Sequence, residues 1–302
     1  MATAWDAKKR VWLSVGSGLL IILLIIGLQL AGQRERTAEA ALGQQRLEVV
    51  QHMQLAFATA LQAERAAVLA VTDATSRQHA DEVRVAARQV AADIDHYAAL
   101  AAQDPDAAEQ ERLTQLKRAF AVWQRTDGQI LDFAGQNSNL KAYKLAFGPA
   151  AEAVAAADLA LAHAALARDA ALQPAAEARI ALWRILALLA PHIAEESDAK
   201  MAAMEAAMQA EDAVVARSLA ALAALPGDAL TADLQAARSS YARFAELRQQ
   251  ILKLSRDNTN VHALALSLNE GLTAAGACER ALDALRRVLV LQQAPGSQAK
   301  PR

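Results

Sequence analysis

The chain has 302 residues and a formal net charge of −2, with 54% hydrophobic side chains, 4% aromatics and a single cysteine. That charge balance argues against a nucleic-acid partner. One cysteine, Cys278, excludes an internal disulfide, a multi-cysteine zinc site and a c-type haem attachment.

Residues 1–10 are polar and close with Lys8-Lys9-Arg10. Val11–Gly32 follows without a charge, and Leu19–Ile26 is an unbroken run of Leu and Ile. At helical rise it is roughly 33 Å long, enough to cross the hydrocarbon core of a bilayer. A cleaved signal peptide fits less well, because the small pair Ala38 and Ala40 lies beyond Arg34, Glu35 and Arg36. The segment is expected to be an uncleaved transmembrane anchor. More basic residues precede it than follow it, which predicts a cytoplasmic N-terminus and places the rest of the chain outside.

Alanine and leucine dominate the remainder, and no stretch alternates β-branched residues with polar ones. The fold class is therefore all-α. The expectation is an N-terminal transmembrane helix followed by two up-down four-helix-bundle modules, residues 37–173 and 174–292, and a polar, disordered tail, 293–302. In the first module a heptad-like pattern runs from Ala38 to Val71, and a second helix spans Ala80–Ala102. Asp104-Pro105-Asp106 then forms a turn in which Asp106 caps a third helix. The seam of that helix reads Leu113, Leu116, Phe120, Trp123, Asp127, Ile130 and Ala134. A fourth helix runs to Leu172, kinked at Gly148-Pro149. The second module begins with a helix from Pro174 through Pro191 to Met208, followed by helices over Ala213–Leu225, Thr231–Ser255 and Asn260–Gln292. Asp228 is the expected cap before Thr231.

Leu113–Phe147 and Leu234–Leu268 match at a constant offset, with nine identities in 35 positions. Each copy carries Gln-Ile-Leu followed by an Asn-x-Asn break, Asn137-Ser138-Asn139 or Asn258-Thr259-Asn260. Asn tolerates the left-handed conformation that ends a helix, and Asn, Ser and Thr side chains cap the next one. The break predicts a turn from which the fourth helix folds back, as an antiparallel hairpin, on the third. A repeat of this length implies two similar helical modules.

A helix with an aromatic seam, a polar break, then Ala142-Tyr143-Lys144-Leu145 with Gly148, and again Ala263-Leu264-Ala265-Leu266 with Gly271, resembles a known arrangement. It is similar to the third and fourth helices of the four-helix-bundle sensor domain of bacterial chemoreceptors and sensor kinases, here in tandem. The resemblance implies a sensor on the periplasmic side of a bacterial inner membrane, binding a small molecule or a protein and forming a homodimer. The small pairs Ser14 and Gly18, and Gly27 and Ala31, suit close approach of two membrane helices. The family's second span, adaptor and cytoplasmic signalling region have no counterpart in this sequence, so a separate receptor or kinase is the implied output partner.

Among polar residues, Asn137, Asn139, Asn258 and Asn260 are the most distinctive, either as caps or as the lining of a ligand pocket. His192, Glu195 and Glu196 lie at i, i+3 and i+4, where one helical face would present all three to a metal. The order is the reverse of the Glu-x-x-His of di-iron sites, and Met201, Met204 and Met208 beyond it suit a core. Asp127 and Arg248 share one repeat position on an otherwise apolar seam, expected near an end of each bundle where water reaches them. No cofactor is expected. No nucleophile, base and oxyanion donors group together, which points away from an enzyme. The competing class is a structural membrane anchor holding protein partners; a metal or redox protein would rest on His192 alone.

The topology yields a direct test. An alkaline-phosphatase fusion at Arg302 should be active and a cytoplasmic reporter at the same place inactive; the opposite pair of results would reverse the orientation.

Overall fold

Strong helix formers fill the chain, and the regular structure of the computed structural model is all helical, with no strand among the described residues. It describes the backbone of residues 3–226 and 228–293, with side chains described continuously from Thr37 to Pro226 and from Leu230 to Gln292. The helices are α1 (Thr3–Val68), α2 (Asp73–Ala101), α3 (Ala107–Gln136), α4 (Ser138–Leu145), α5 (Ala151–Ala167), α6 (Asp169–Ala194), α7 (Asp198–Ala223), α8 (Thr231–Asp257), α9 (Thr259–Leu266) and α10 (Leu272–Gln293). A π-helical segment joins α4 to α5 (Ala146–Ala150), and a second joins α9 to α10 (Ser267–Gly271). The all-α expectation holds. The Val11–Gly32 segment lies within the range of α1, but its side chains other than Gln29 fall outside the described residues, as does the 294–302 tail.

Several boundaries differ from the sequence reading, each for a local reason. Helix α2 starts at Asp73 rather than Ala80, because the Thr72 hydroxyl accepts from the Thr75 N–H and caps its first turn. Asp106 caps α3 as expected, accepting from the Glu109 N–H at 2.9 Å. Helix α6 starts at Asp169, five residues before Pro174, because the chain breaks at Arg168, whose backbone is extended. It also stops at Ala194 instead of running to Met208. Glu195 is extended there, and Ser197 caps α7 by accepting from the Lys200 N–H. Asp228 lies in a single 3-10 turn leading into α8, whose first turn has no side-chain cap.

The described chain divides into two compact units. The first comprises Met1–Ala58, Ala86–Ala121 and Gly276–Arg302. Four helices supply it: α1, α2, α3 and α10. Its buried side chains include Val50, Met53 and Phe57 of α1, Val90, Ile94 and Tyr97 of α2, Leu116 and Phe120 of α3, and Leu282, Leu285 and Leu289 of α10. Arg46 of α1 reaches the Glu109 carboxylate of α3 at 3.1 Å and donates to the Leu100 carbonyl at the end of α2. Gln54 of α1 donates to Asp283 of α10 at 2.8 Å.

The second unit comprises Thr59–Val85 and Val122–Ala275. Here α6 packs against α5 and α7, and α5 also packs against α8. Alanine lines the α5–α6 contact (Ala157, Ala164, Ala171, Ala175, Ala178), with Leu161, Leu182, Ile185 and Phe244 filling the centre. Small residues there let the helix backbones approach closely. Among the described residues, one stretch, within Ala107–Ala167, is apolar and long enough to cross a membrane by length and composition, at a mean hydropathy of 1.4. Its apolar part includes α5, whose inner face is this alanine contact.

The expected hairpins do not form. Asn137 and Asn258 each break the helix with a left-handed backbone, φ 51° and 50°, but a single residue is too short a loop to reverse a helix. After the first break, α4 and α5 pack against α8 of the other repeat. After the second, Ala263 and Leu266 pack with Ile130 and Ala134 of α3. The two repeats thus exchange the helices that follow their breaks. Both π segments obey the same sequence offset, which extends the internal symmetry beyond the identities.

The exchanged contact is tight at Gly271. A Cβ there would lie 2.9 Å from Ile130 Cδ1 and 3.2 Å from the Leu266 carbonyl oxygen. Gly271→Val should therefore lower unfolding free energy by about 1–3 kcal/mol through overpacking. Denaturant titration followed by circular dichroism measures this, and an unchanged midpoint would contradict the contact.

Candidate functional site

The two Asn-x-Asn breaks meet. An α-helix leaves its first N–H groups without partners inside the helix. In α4 and α9 these groups are satisfied by side chains of the other repeat. The Ser138 N–H donates to Thr259 Oγ1 (3.0 Å), and the Thr259 N–H donates to Ser138 Oγ (2.9 Å). The Asn139 N–H donates to Asn260 Oδ1 (3.2 Å), and the Asn260 N–H donates to Asn139 Oδ1 (3.1 Å). The side-chain amides complete the exchange: Asn139 Nδ2 donates to Asn258 Oδ1 (2.7 Å) and Asn260 Nδ2 to Asn137 Oδ1 (3.0 Å). Each helix start is capped by the other repeat rather than by its own preceding residue. Asn137, Ser138, Asn139, Asn258 and Thr259 are buried as a result.

The same side chains receive the end of α6. Asn139 Nδ2 also donates to the Ile193 carbonyl (2.7 Å), and Asn258 Nδ2 donates to the Glu195 carbonyl (2.9 Å). The outer amide of Asn137 donates to Asp73 at the start of α2. All four sequence candidates, Asn137, Asn139, Asn258 and Asn260, are therefore brought together, as a structural lock whose polar atoms bond to one another, to the end of α6 and to Asp73.

His192 sits beside this lock with no solvent exposure. Its Nδ1 lies 2.8 Å from Ser255 Oγ, which donates its own proton to the His192 carbonyl (2.9 Å). The hydroxyl can then only accept from the ring. Nε2 lies 2.9 Å from Glu205 Oε1, an acceptor when ionised. Arg256, also bonded to Glu205 and paired with Asp198, holds the Glu205 carboxyl below its ordinary range, against partial burial and with help from His192. Ser255, His192 and Glu205 are the residue types of a hydrolytic triad, but the proton order opposes one: the ring donates to the hydroxyl instead of taking its proton.

The sequence grouping of His192 with Glu195 and Glu196 is not what the structure brings together. Helix α6 ends before both glutamates. Glu195 turns back to accept from the Glu196 and Ser197 N–H groups, with Lys200 at 3.5 Å, and Glu196 lies in the connecting loop. No set of three His, Cys, Asp or Glu side chains is placed to hold a metal among the described residues. Ser255 and Glu205 escaped the sequence reading because they lie on α8 and α7; only their helical phase facing α6 could have signalled them.

The expectation that Asp127 and Arg248 lie where water reaches them is corrected at Asp127, whereas Arg248 is part-buried and keeps some of its side chain exposed. Arg248 grips Asp212 of α7 with two bonds, 2.7 and 2.6 Å, and Tyr241 donates to the same carboxylate at 2.6 Å. Burial, reinforced by that carboxylate, pushes the Tyr241 phenol up. Asp127 is buried. In the first unit, burial and Glu109 likewise raise Tyr97, which donates to Glu109 at 2.6 Å. Burial, with Glu279 adding to it, pushes the Cys278 thiol up to about 12, so it stays protonated as a core side chain.

Comparison with family models, with curated proteins and with solved structures gave no match.

The reciprocal capping makes a quantitative claim. Asn139→Ala or Asn260→Ala each strips a buried N–H of its acceptor and should cost about 1–3 kcal/mol of stability. Because the two side chains serve each other's helix, the double variant should cost less than the sum, with a coupling of at least about 0.5 kcal/mol. Additive losses in a double-mutant cycle would show that the two caps act independently.

Proposed function

We propose that the chain is a membrane-anchored, extracytoplasmic sensor-type protein that binds a small molecule or a protein partner in a chemoreceptor-like signalling system. In this reading Val11–Gly32 spans a bacterial inner membrane, two four-helix bundles follow on the periplasmic side, and the anchor supports a homodimer. The observation that carries it is the convergence of buried polar groups where α4, α6, α8 and α9 meet. A purely structural spacer would be served by an apolar interior. Directional bonds of this kind specify one packing and leave a second packing only a few bonds away. A ligand that prefers one packing shifts the helices on which those bonds lie. Output then passes to a separate receptor or kinase.

A structural anchor that holds protein partners is the second reading, favoured by the exposed apolar residues Leu159 and Leu166 of α5 and Ile180 and Trp183 of α6. The two differ in what a ligand does. In the sensor reading, one or more compounds from a panel of amino acids, organic acids and amines raises the melting temperature of the purified full-length chain. Asn139→Ala changes the affinity for that compound. A panel without any stabilising compound, together with partner capture that Asn139→Ala leaves unchanged, would replace the sensor with the anchor.

A further inference from the structure

The Asp127 carboxyl has no assigned purpose in the lock, yet it lies on the inner side of α3 with 6% of its surface exposed. Its Oδ1 has no hydrogen-bond partner. A second carboxyl, Glu64 of α1, is equally enclosed at 4% exposure and accepts from the Ser267 hydroxyl of the second π segment at 2.7 Å. Each acid lies about one helical turn before a member of one buried cluster, Val68 of α1 and Ile130 of α3, and the Glu64 charge acts on Asp127. A buried carboxylate oxygen without a donor is costly, and a second buried charge acting on it adds to that cost.

The ionisable groups facing the pair do not neutralise it. From α1 come Glu64 itself and Arg65, which draws Glu64 slightly toward the charged form. From α2 comes Arg84, which favours the charged form of Asp127 but is engaged with Asp81 at 2.8 Å. His262 of α9 rests against Phe133, further along α3. The π segment contributes the neutral Ser267 hydroxyl, which fits a carboxylate on Glu64.

We propose that Glu64 and Asp127 share one proton, held on Asp127, and form a pH-responsive joint between α1, α3 and the second π segment. Burial and then the Glu64 charge push the Asp127 carboxyl up to about 7, and burial raises Glu64 as well. The folded protein therefore keeps a proton that the unfolded chain releases in the ordinary carboxylate range. The stabilisation is complete below about pH 4 and is lost as pH rises through about 7, after which it levels off. Above that pH both carboxylates are charged and repel. The strain falls on α1, α3 and a segment whose helical ladder is already widened by its π turn.

The test uses the full-length chain in detergent. Difference infrared spectroscopy between about pH 5 and about pH 9 should show the loss of a protonated-carboxylic-acid band with a midpoint near 7. Asp127→Asn should lack that band. Glu64→Gln should keep it but move its midpoint to lower pH, because the neighbouring charge is gone. Amide hydrogen exchange over residues 59–68 and 122–136, corrected for the intrinsic effect of pH, should rise at least about tenfold across the range in the wild type and stay flat in Asp127→Asn. A band that survives in Asp127→Asn, or one absent from the wild type at low pH, would overturn the proposal. So would wild-type exchange with no pH dependence, and Glu64→Gln decides the case if Asp127→Asn does not fold.

Discussion

Everything in the second unit depends on how two helix beginnings are satisfied. Helices α4 and α9 start abruptly after one left-handed residue, with no room for a capping loop of their own. Their orphan N–H groups are buried and must find acceptors. The structure meets this need by pairing the two starts, so that Ser138 and Asn139 cap α9 while Thr259 and Asn260 cap α4. Directionality follows from the arrangement. Each Asn has one carbonyl and one amide group, and both are used, so neither helix can slide or rotate without breaking bonds on both sides. The end of α6 joins through Asn139 and Asn258, and His192 extends the polar network to α7 through Glu205.

Left-handed backbone explains why the first position of each break is Asn. Among residues with a side chain, Asn enters this region most readily, because its short amide bonds locally. The third position is Asn for a different reason, since only a side chain offering both an acceptor and a donor can cap the opposite helix and also reach a neighbouring oxygen. Ser138 and Thr259 are interchangeable in this role because each needs only a hydroxyl. The repeat thus conserves chemistry where geometry demands it and lets the rest drift, as at Asp127 and Arg248. One copy of that position holds a buried acid and the other a half-buried guanidinium gripped by Asp212.

Fold class, the position of each break, the Asp106 cap and the kink at Gly148-Pro149 were legible in the sequence, because each rests on local preference. Gly148 in fact departs furthest from helical geometry within its π segment, at φ −110° and ψ −105°. The partnership between the breaks was not legible. Periodicity tells which face of α5 is apolar but not whether that face meets α3 or α8, since both offer an apolar seam of the same period. Capping was read within each chain segment, whereas the acceptors come from the other repeat. The proximity of His192 to Glu195 and Glu196 in sequence was misleading for the same reason. A helix end two residues later sends the glutamates away, and the true partners, Ser255 and Glu205, come from 63 and 13 residues along the chain.

The exchange of helices also sets an order on the birth of the protein. Contacts that join residues 138 and 259 span 121 positions, so they belong to the slow class in which long loops must close before anything is gained. As the chain leaves the ribosome N-terminus first, α4 and α5 emerge with a bare polar start and an alanine-rich face whose partner, α8, has yet to be made. The first repeat must wait, unfinished, for the second.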